Sequence, residues 1–175
     1  MQKKILVVSD SHRLSGNLSK ALYDEAGNYD TVLHLGDIEG KDFELRQEID
    51  RIDPLIAFSF VRGNCDDDIS VPYFRVLRFG KLRVFMTHGH RYINKVPGGP
   101  YDALASAALE NGCKVALFGH VHIPVDETAW NGVRLLNPGS IALPRQSDGR
   151  HGYGILTVSE NGSFDWAQKY TEDYA

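Results

Sequence analysis

Five short apolar runs in this chain each lead directly into Asp, Asn or His, and no other feature restricts the fold as strongly. Ile5-Leu6-Val7-Val8-Ser9 leads into Asp10-Ser11-His12, and Thr31-Val32-Leu33-His34-Leu35 into Gly36-Asp37. The run from Leu55 to Val61 leads into Arg62-Gly63-Asn64, and the run from Leu82 to Thr87 into His88-Gly89-His90. Lys114-Val115-Ala116-Leu117-Phe118 leads into Gly119-His120-Val121-His122. Apolar, β-rich runs of this length bounded by turn formers predict buried strands. In open α/β sheets a ligand sits outside the carboxyl ends of the strands. Two Asp, one Asn and several His are therefore expected on one rim, which is how a metal site is built.

The segments between the runs complete an α/β pattern. A helix is predicted over 15–27, with Ser15 as its cap and Gly27-Asn28 as its stop, and a second within 40–52, with Ile49 and Ile52 among its few apolar residues. Alternating strand and helix implies βαβ units and a parallel sheet. From 72 the pattern changes: Tyr73 to Phe79, Gly80-Lys81, then Leu82 to Thr87 reads as a hairpin. A third helix is predicted from Pro100, a good first-turn residue, to Glu110. Beyond 122 strands are predicted near 124–129, 133–137, 153–158 and 163–170, with turns at Asn131-Gly132 and Asn161-Gly162. With 175 residues and no repeat or linker, one domain spanning 1–175 is expected.

Composition narrows the partners. The formal net charge of −4 disfavours a nucleic acid polymer, which is gripped by basic surfaces, but leaves room for a small anion held by metal. Cys65 and Cys113 form no C-x-x-C pair, so neither a disulfide framework nor a thiolate zinc site is expected. The apolar stretch near the N-terminus is about five residues long, too short for a signal core or membrane span. A cytoplasmic location without a membrane partner is the corresponding expectation.

Asp10 and His12 are two residues apart, as are His120 and His122, and in extended backbone such pairs point the same way. Oxygen and imidazole donors suit Mn, Fe, Zn or other divalent ions. Seven candidates exceed what one ion needs and imply two, sharing a bridging carboxylate about 3.5–4 Å apart. Two such ions, balanced by Asp10, Asp37 and a bridging hydroxide, leave a net charge of about +1 because Asn64 is neutral. Such a centre can hold a phosphate, make hydroxide near neutral pH and stabilise charge built up at phosphorus. His34 lies inside a strand, where a hydrogen-bonded core role is expected. Asp66-Asp67-Asp68 reads as a solvated loop in which Asp66 can orient a neighbouring ligand, and Gly98-Gly99-Pro100 as a turn before the third helix.

Asp10-x-His12, Gly36-Asp37, Gly63-Asn64, His88 and Gly119-His120-x-His122 resemble the calcineurin-like metallophosphoesterases, in correct order from 10 to 122. Arg62-Gly63-Asn64-Cys65-Asp66, Thr87-His88-Gly89-His90 and Asn137-Pro138-Gly139-Ser140 resemble the small bacterial and archaeal phosphodiesterase branch. The resemblance implies a four-layer α/β/β/α sandwich of two mixed sheets flanked by helices. It assigns Asp10, His12, Asp37 and His122 to one metal, and Asp37, Asn64, His88 and His120 to the other. Manganese is the expected ion, with iron, nickel, zinc and magnesium as alternatives. Many members carry a His directly after the Asn that protonates the leaving group; here that position is Cys65, which favours a phosphodiester over a monoester. Asp37, Asn64 and His90 are the positions expected to act on a small phosphodiester, with His90 a substitute proton donor or substrate contact. Arg145 and Cys65 are candidate substrate contacts, and a homodimer is compatible with the branch. The same branch resembles the phosphoesterase-like subunit of the retromer coat, a scaffold with an incomplete metal site. Every ligand position here is filled, which favours an enzyme.

Overall fold

The computed structural model describes residues 2–95 and 97–174. Its strands are β1 (Lys3–Val8), β2 (Thr31–His34), β3 (Ala57–Phe60), β4 (Phe74–Phe79), β5 (Leu82–Thr87), β6 (Val115–Leu117), β7 (Pro124–Thr128), β8 (Arg134–Pro138), β9 (Gly152–Val158) and β10 (Phe164–Tyr170). Its helices are α1 (Gly16–Asp24), α2 (Asp42–Ile52) and α3 (Asp102–Glu110), and a 3-10 turn covers Thr171–Tyr174. The strands form two five-stranded sheets, ordered β10-β9-β1-β2-β3 and β4-β5-β6-β8-β7. β1, β2 and β3 run parallel, as do β5, β6 and β8, while β9, β10, β4 and β7 join antiparallel. The carboxyl ends of β1, β2 and β3 therefore lie side by side, as do those of β5 and β6.

The period-two alternation of side chains builds the layers. Ile5, Val7, Leu33 and Leu35 from one sheet pack on Val84, Met86, Val115, Leu117 and Leu136 from the other. The intervening residues Leu6, Val8 and Val32 face the opposite way, against Leu18, Ala21 and Leu22 of α1 and Leu45 and Ile49 of α2. Phe85, Ala116 and Leu135 likewise pack under Leu104, Ala105 and Ala108 of α3. Strands covered on both faces need apolar residues at every position, which is why the runs read as continuous rather than alternating. The result is the α/β/β/α sandwich that the resemblance implies.

Local boundaries differ from expectation for identifiable reasons. α1 ends at Asp24, not 27, because Glu25 leaves the helix and buries its carboxylate against Tyr153, Tyr174 and Lys169. Ser15 sits at the cap position but makes no side-chain cap bond. α3 begins at Asp102, so Pro100 lies in the preceding turn rather than the first helical turn; the Asp102 carboxylate accepts the Gly99 N–H at 2.7 Å. β3 spans only Ala57–Phe60, since the run starts at a 90% exposed Leu55.

Candidate metal centre

Where each strand ends, the backbone turns sharply instead of continuing. Asp10, His12, Asp37, His120 and His122 all have positive φ, between 46° and 71°. Among the described residues, Arg13, Glu39 and Asn94 are the other non-glycine cases, and Arg13 and Glu39 adjoin the same loops. A non-glycine residue held there costs about 1–2 kcal/mol, and such strain concentrates at functional sites. The extended-backbone argument fails on its backbone premise and for one of its two pairs: Asp10 and His12 still share a donor set, but His120 and His122 diverge to different ones. The loops are tied across strands, with Asp10 N–H donating to Gly36 O (3.1 Å), His12 N–H to Asp37 O (2.9 Å) and Gly119 N–H to His88 O (2.9 Å). Two glycines are required by close approach. A Cβ on Gly63 would strike Asp37 Oδ1 and lie 2.5 Å from its backbone nitrogen; one on Gly119 would strike Ser9 Oγ and lie 2.6 Å from Asp10 Oδ2.

The side chains assemble into two adjoining donor sets. In the first, Asp10 Oδ1 lies 3.1 Å from His122 Nε2 and 3.6 Å from His12 Nε2, and the two imidazole nitrogens are 3.2 Å apart. In the second, His88 Nε2 lies 2.9 Å from Asn64 Oδ1 and 3.3 Å from His120 Nδ1, which is itself 3.0 Å from Asn64 Oδ1. Asp37 Oδ2 faces both, 3.6 Å from His12 Nε2 and 3.2 Å from His88 Nε2. Asp10 Oδ1 is buried and accepts no hydrogen bond, although His88 Nε2 is also only 3.7 Å away. Donors bound at about 2.0–2.2 Å in tetrahedral or octahedral geometry sit roughly 3–3.5 Å from one another. The observed spacings and the orphaned oxygen therefore fit divalent cations, and Asp10-His12-His122 and Asp10-Asp37-His88 are candidate metal groups.

The electrostatics show the same demand for positive charge. The Asp10 carboxylate beside it pushes His12 up to about 9 against the effect of burial, with Glu39 and Asp37 adding to the rise. Burial alone would lower His88, but Asp37 and Asp10 outweigh it and raise it above its ordinary value. Asp10 is held well below the carboxylate range: burial opposes this, but His12, His122 and His88 prevail. Backbone and side-chain acceptors fix the rings. His88 Nδ1 donates to Leu35 O at 2.8 Å and His122 Nδ1 to Leu143 O at 2.7 Å, while His12 Nδ1 meets Glu39 Oε1 at 3.3 Å. Each contact occupies Nδ1 and turns Nε2 toward the donor set. His120 is reversed and presents Nδ1.

Residues 3–161 match the profile of the calcineurin-like phosphoesterase superfamily domain. The chain belongs to that superfamily. It is 31% identical over 176 residues to a probable metallophosphoesterase, YsnB, of Bacillus subtilis, covering 97% of this chain and 95% of the relative. A Streptococcus pneumoniae protein described as a predicted phosphoesterase superposes with a TM-score of 0.78 at 26% identity, over 98% of this chain and 91% of that one. Vacuolar Protein Sorting 29 from Cryptosporidium parvum shares the fold, with a TM-score of 0.70 at 17% identity over 96% and 97% of the two chains. The chain is a metal-dependent phosphoester hydrolase by family, and among the described residues no helix is long and apolar enough to cross a membrane.

The phosphoesterase brings its remaining candidates to the centre unequally. Cys65 is exposed, donates its N–H to Asp37 Oδ1 at 2.8 Å, and forms a third candidate metal group with His12 and Asp37. Desolvation and the carboxylates of Asp37, Glu39 and Asp66 push its thiol up to about 11, so the protein's own groups favour the neutral form. His90 is half-buried, with its ring 5.5 Å from that of His88 and 6.1 Å from that of His120; its Nδ1 is buried without a partner. Arg145 is exposed and is tied to the centre through its backbone, whose N–H donates to His122 O at 2.9 Å. His34 is a core residue: burial pushes it down to about 4, and its nitrogens meet Ser11 Oγ at 2.9 Å and Gly36 N–H at 3.1 Å.

Some contributors had little or no sequence signal. Asp66 takes the ligand-orienting role read for it, and more widely than expected: its carboxylate accepts the N–H groups of Asp37 (2.8 Å), Glu39 (2.7 Å) and Gly63 (2.7 Å). Ser140 Oγ donates to Asp10 O at 2.8 Å and accepts the Leu143 N–H at 2.7 Å, while Asn137 Nδ2 donates to Gly119 O at 3.0 Å. The Asn137-Pro138-Gly139-Ser140 motif thus braces the β1 loop, the β6 loop and the carbonyl that orients His122. Glu39, two residues beyond Asp37, was legible only as one more acid.

Proposed function

We propose that this phosphoesterase hydrolyses a small phosphodiester at a dinuclear divalent-metal centre. The observation that carries the reading is Asp37 Oδ2, one carboxylate oxygen within 3.6 Å of His12 Nε2 and 3.2 Å of His88 Nε2. Asp10, His12, Asp37 and His122 would hold one ion, and Asp37, Asn64, His88 and His120 the other, with manganese the favoured metal. Ions bound there supply charge neutralisation at the phosphoryl oxygens and acidification of water. Asp10 and Asp37 are the only anionic ligands, so a modest positive charge remains, suited to a monoanionic diester. Asn64, exposed at the rim, and His90, whose ring neighbours those of His88 and His120, would contact the phosphate and the leaving oxygen. A cleft of about 390 Å³, lined by Phe60, Arg62, Cys65, Asp66 and Ile38, adjoins the centre and can house an ester substituent.

Cys65 at the position after Asn64 supports the diester preference. A thiol raised to about 11 is a weaker general acid than a histidine, and an aryl leaving group needs little acid help. The test compares kcat/KM of metal-loaded protein for bis(p-nitrophenyl) phosphate and p-nitrophenyl phosphate. The diester should be preferred by at least about tenfold, roughly 1.4 kcal/mol, because the modest residual positive charge suits a monoanion better than a dianion. A monoester preference refutes the assignment, and no turnover of either ester with any divalent metal favours the scaffold reading.

A further inference from the structure

Two guanidinium groups lie over one phenol ring at the edge of the centre. Arg62 Cζ is 3.9 Å and Arg91 Cζ 4.4 Å from the centroid of Tyr73, so the cations are no more than about 8 Å apart. The Tyr73 ring is 5.4 Å from that of His90, which in turn borders His88 and His120. The pair therefore lies one ring beyond the second donor set, and Arg62 also forms part of the wall of the cleft that opens at Cys65. Among the described residues neither arginine makes an ion pair. Asp68 faces Arg62, but its carboxylate is engaged by the N–H and hydroxyl of Ser70. Arg62 Nε is buried with no hydrogen-bond partner. In a chain of net charge −4, two like charges have been gathered on one ring without a direct ion pair among the described residues.

We propose that Arg62 and Arg91 form a subsite for a second phosphoryl group, remote from the scissile one, on the substrate. A phosphoryl dianion has enough oxygens to accept N–H groups from two guanidiniums at once. Contact with the Tyr73 ring restrains both guanidiniums and lowers the entropy lost on binding. The substrate class is then a phosphodiester that also carries a phosphate monoester, as in a 3′-phosphorylated nucleotide ester. This deepens the phosphodiesterase reading and rests on it for catalysis, though not for binding.

The deciding measurement is calorimetric titration of metal-loaded protein with adenosine 3′,5′-bisphosphate and with adenosine 5′-monophosphate. In wild type the bisphosphate should bind at least about tenfold more tightly, since one charge-assisted pair contributes that much. In Arg91→Gln, an exposed position that threatens no core packing, and in Arg62→Gln, the advantage should fall to about twofold or less. A kinetic arm compares thymidine 5′-(p-nitrophenyl phosphate) with and without a 3′-phosphate, where the added group should lower KM in wild type and not in the variants. Equal affinity for the two nucleotides in wild type, or an undiminished advantage in both variants, overturns the subsite. Absence of all diester turnover refutes the phosphodiesterase reading alone, because the binding ratio is still measured.

Discussion

Removing the carboxylate of Asp66 should loosen both donor sets at once, although Asp66 belongs to neither. Its Oδ2 accepts the N–H groups of Asp37 and Gly63, and its Oδ1 accepts that of Glu39. The first positions the carboxylate shared between the sets, the second precedes Asn64, and the third carries the acid that meets His12. Each charge-assisted bond contributes roughly 1.5–3 kcal/mol, and water can replace part of that at a half-buried site. Asp66→Ala should therefore cost about 3–5 kcal/mol of folding stability. Asp66→Asn can keep an oxygen where Oδ2 stands, but its amide then meets the Glu39 N–H donor to donor, so the cost is about 1.5–3 kcal/mol. Urea unfolding of chelated protein reads these values free of metal linkage. Calorimetry should separately show Mn²⁺ affinity falling about 10- to 100-fold, the usual effect of losing a group that orients ligands. An Ala variant within about 0.5 kcal/mol of wild type, with metal affinity intact, would mean that the clamp is incidental.

Asp37→Asn should lower the metal content of Mn-reconstituted protein from two ions to one or none and abolish turnover; elemental analysis showing one ion in wild type, with full activity in the variant, refutes the bridging role. Wild-type rates should depend steeply on leaving-group acidity, and Cys65→His should flatten that dependence by raising alkyl-ester turnover more than aryl-ester turnover, within the 10²–10⁴-fold range typical of acid catalysis. A shallow wild-type slope that steepens in His90→Ala would instead make His90 the acid. His34 is fully buried and is held down to about 4 by burial, against 6.5 when unfolded. Because the folded value is depressed, its neutral form contributes stability that is fully present above pH 6.5 and lost as pH falls toward 4. The loss is roughly 3 kcal/mol, and His34→Gln in chelated protein should remove that part of the acid slope; identical slopes in urea midpoints between pH 7.5 and 4.5 refute it.

The layer order and the rim of metal donors were legible in the sequence because both follow from local rules. A strand covered on two faces must be apolar at every position, so Ile5–Val8, Val84–Met86 and Val115–Leu117 announced themselves, and the residues after them had to lie at carboxyl ends. Turns at Asn131-Gly132 and Asn161-Gly162 were likewise local, with Gly132 and Gly162 both at φ 89°. The sharing of donors between the two sets was not local. It depends on left-handed backbone at Asp37, His120 and His122, which splits His120 from His122 where an extended chain would have pointed them together. Those conformations are held by contacts between distant segments: Asp66 on Asp37, Ser140 on Asp10, Asn137 on Gly119. Arg62, Tyr73 and Arg91 meet for the same reason, since their stacking exists only once the loops after β3 and β5 are brought side by side. Sequence determined which residues stand at the strand ends, because burial acts residue by residue. Only the tertiary structure decided which face one another, because that is set by strand order and by hydrogen bonds between loops, neither of which leaves a periodic trace in the chain.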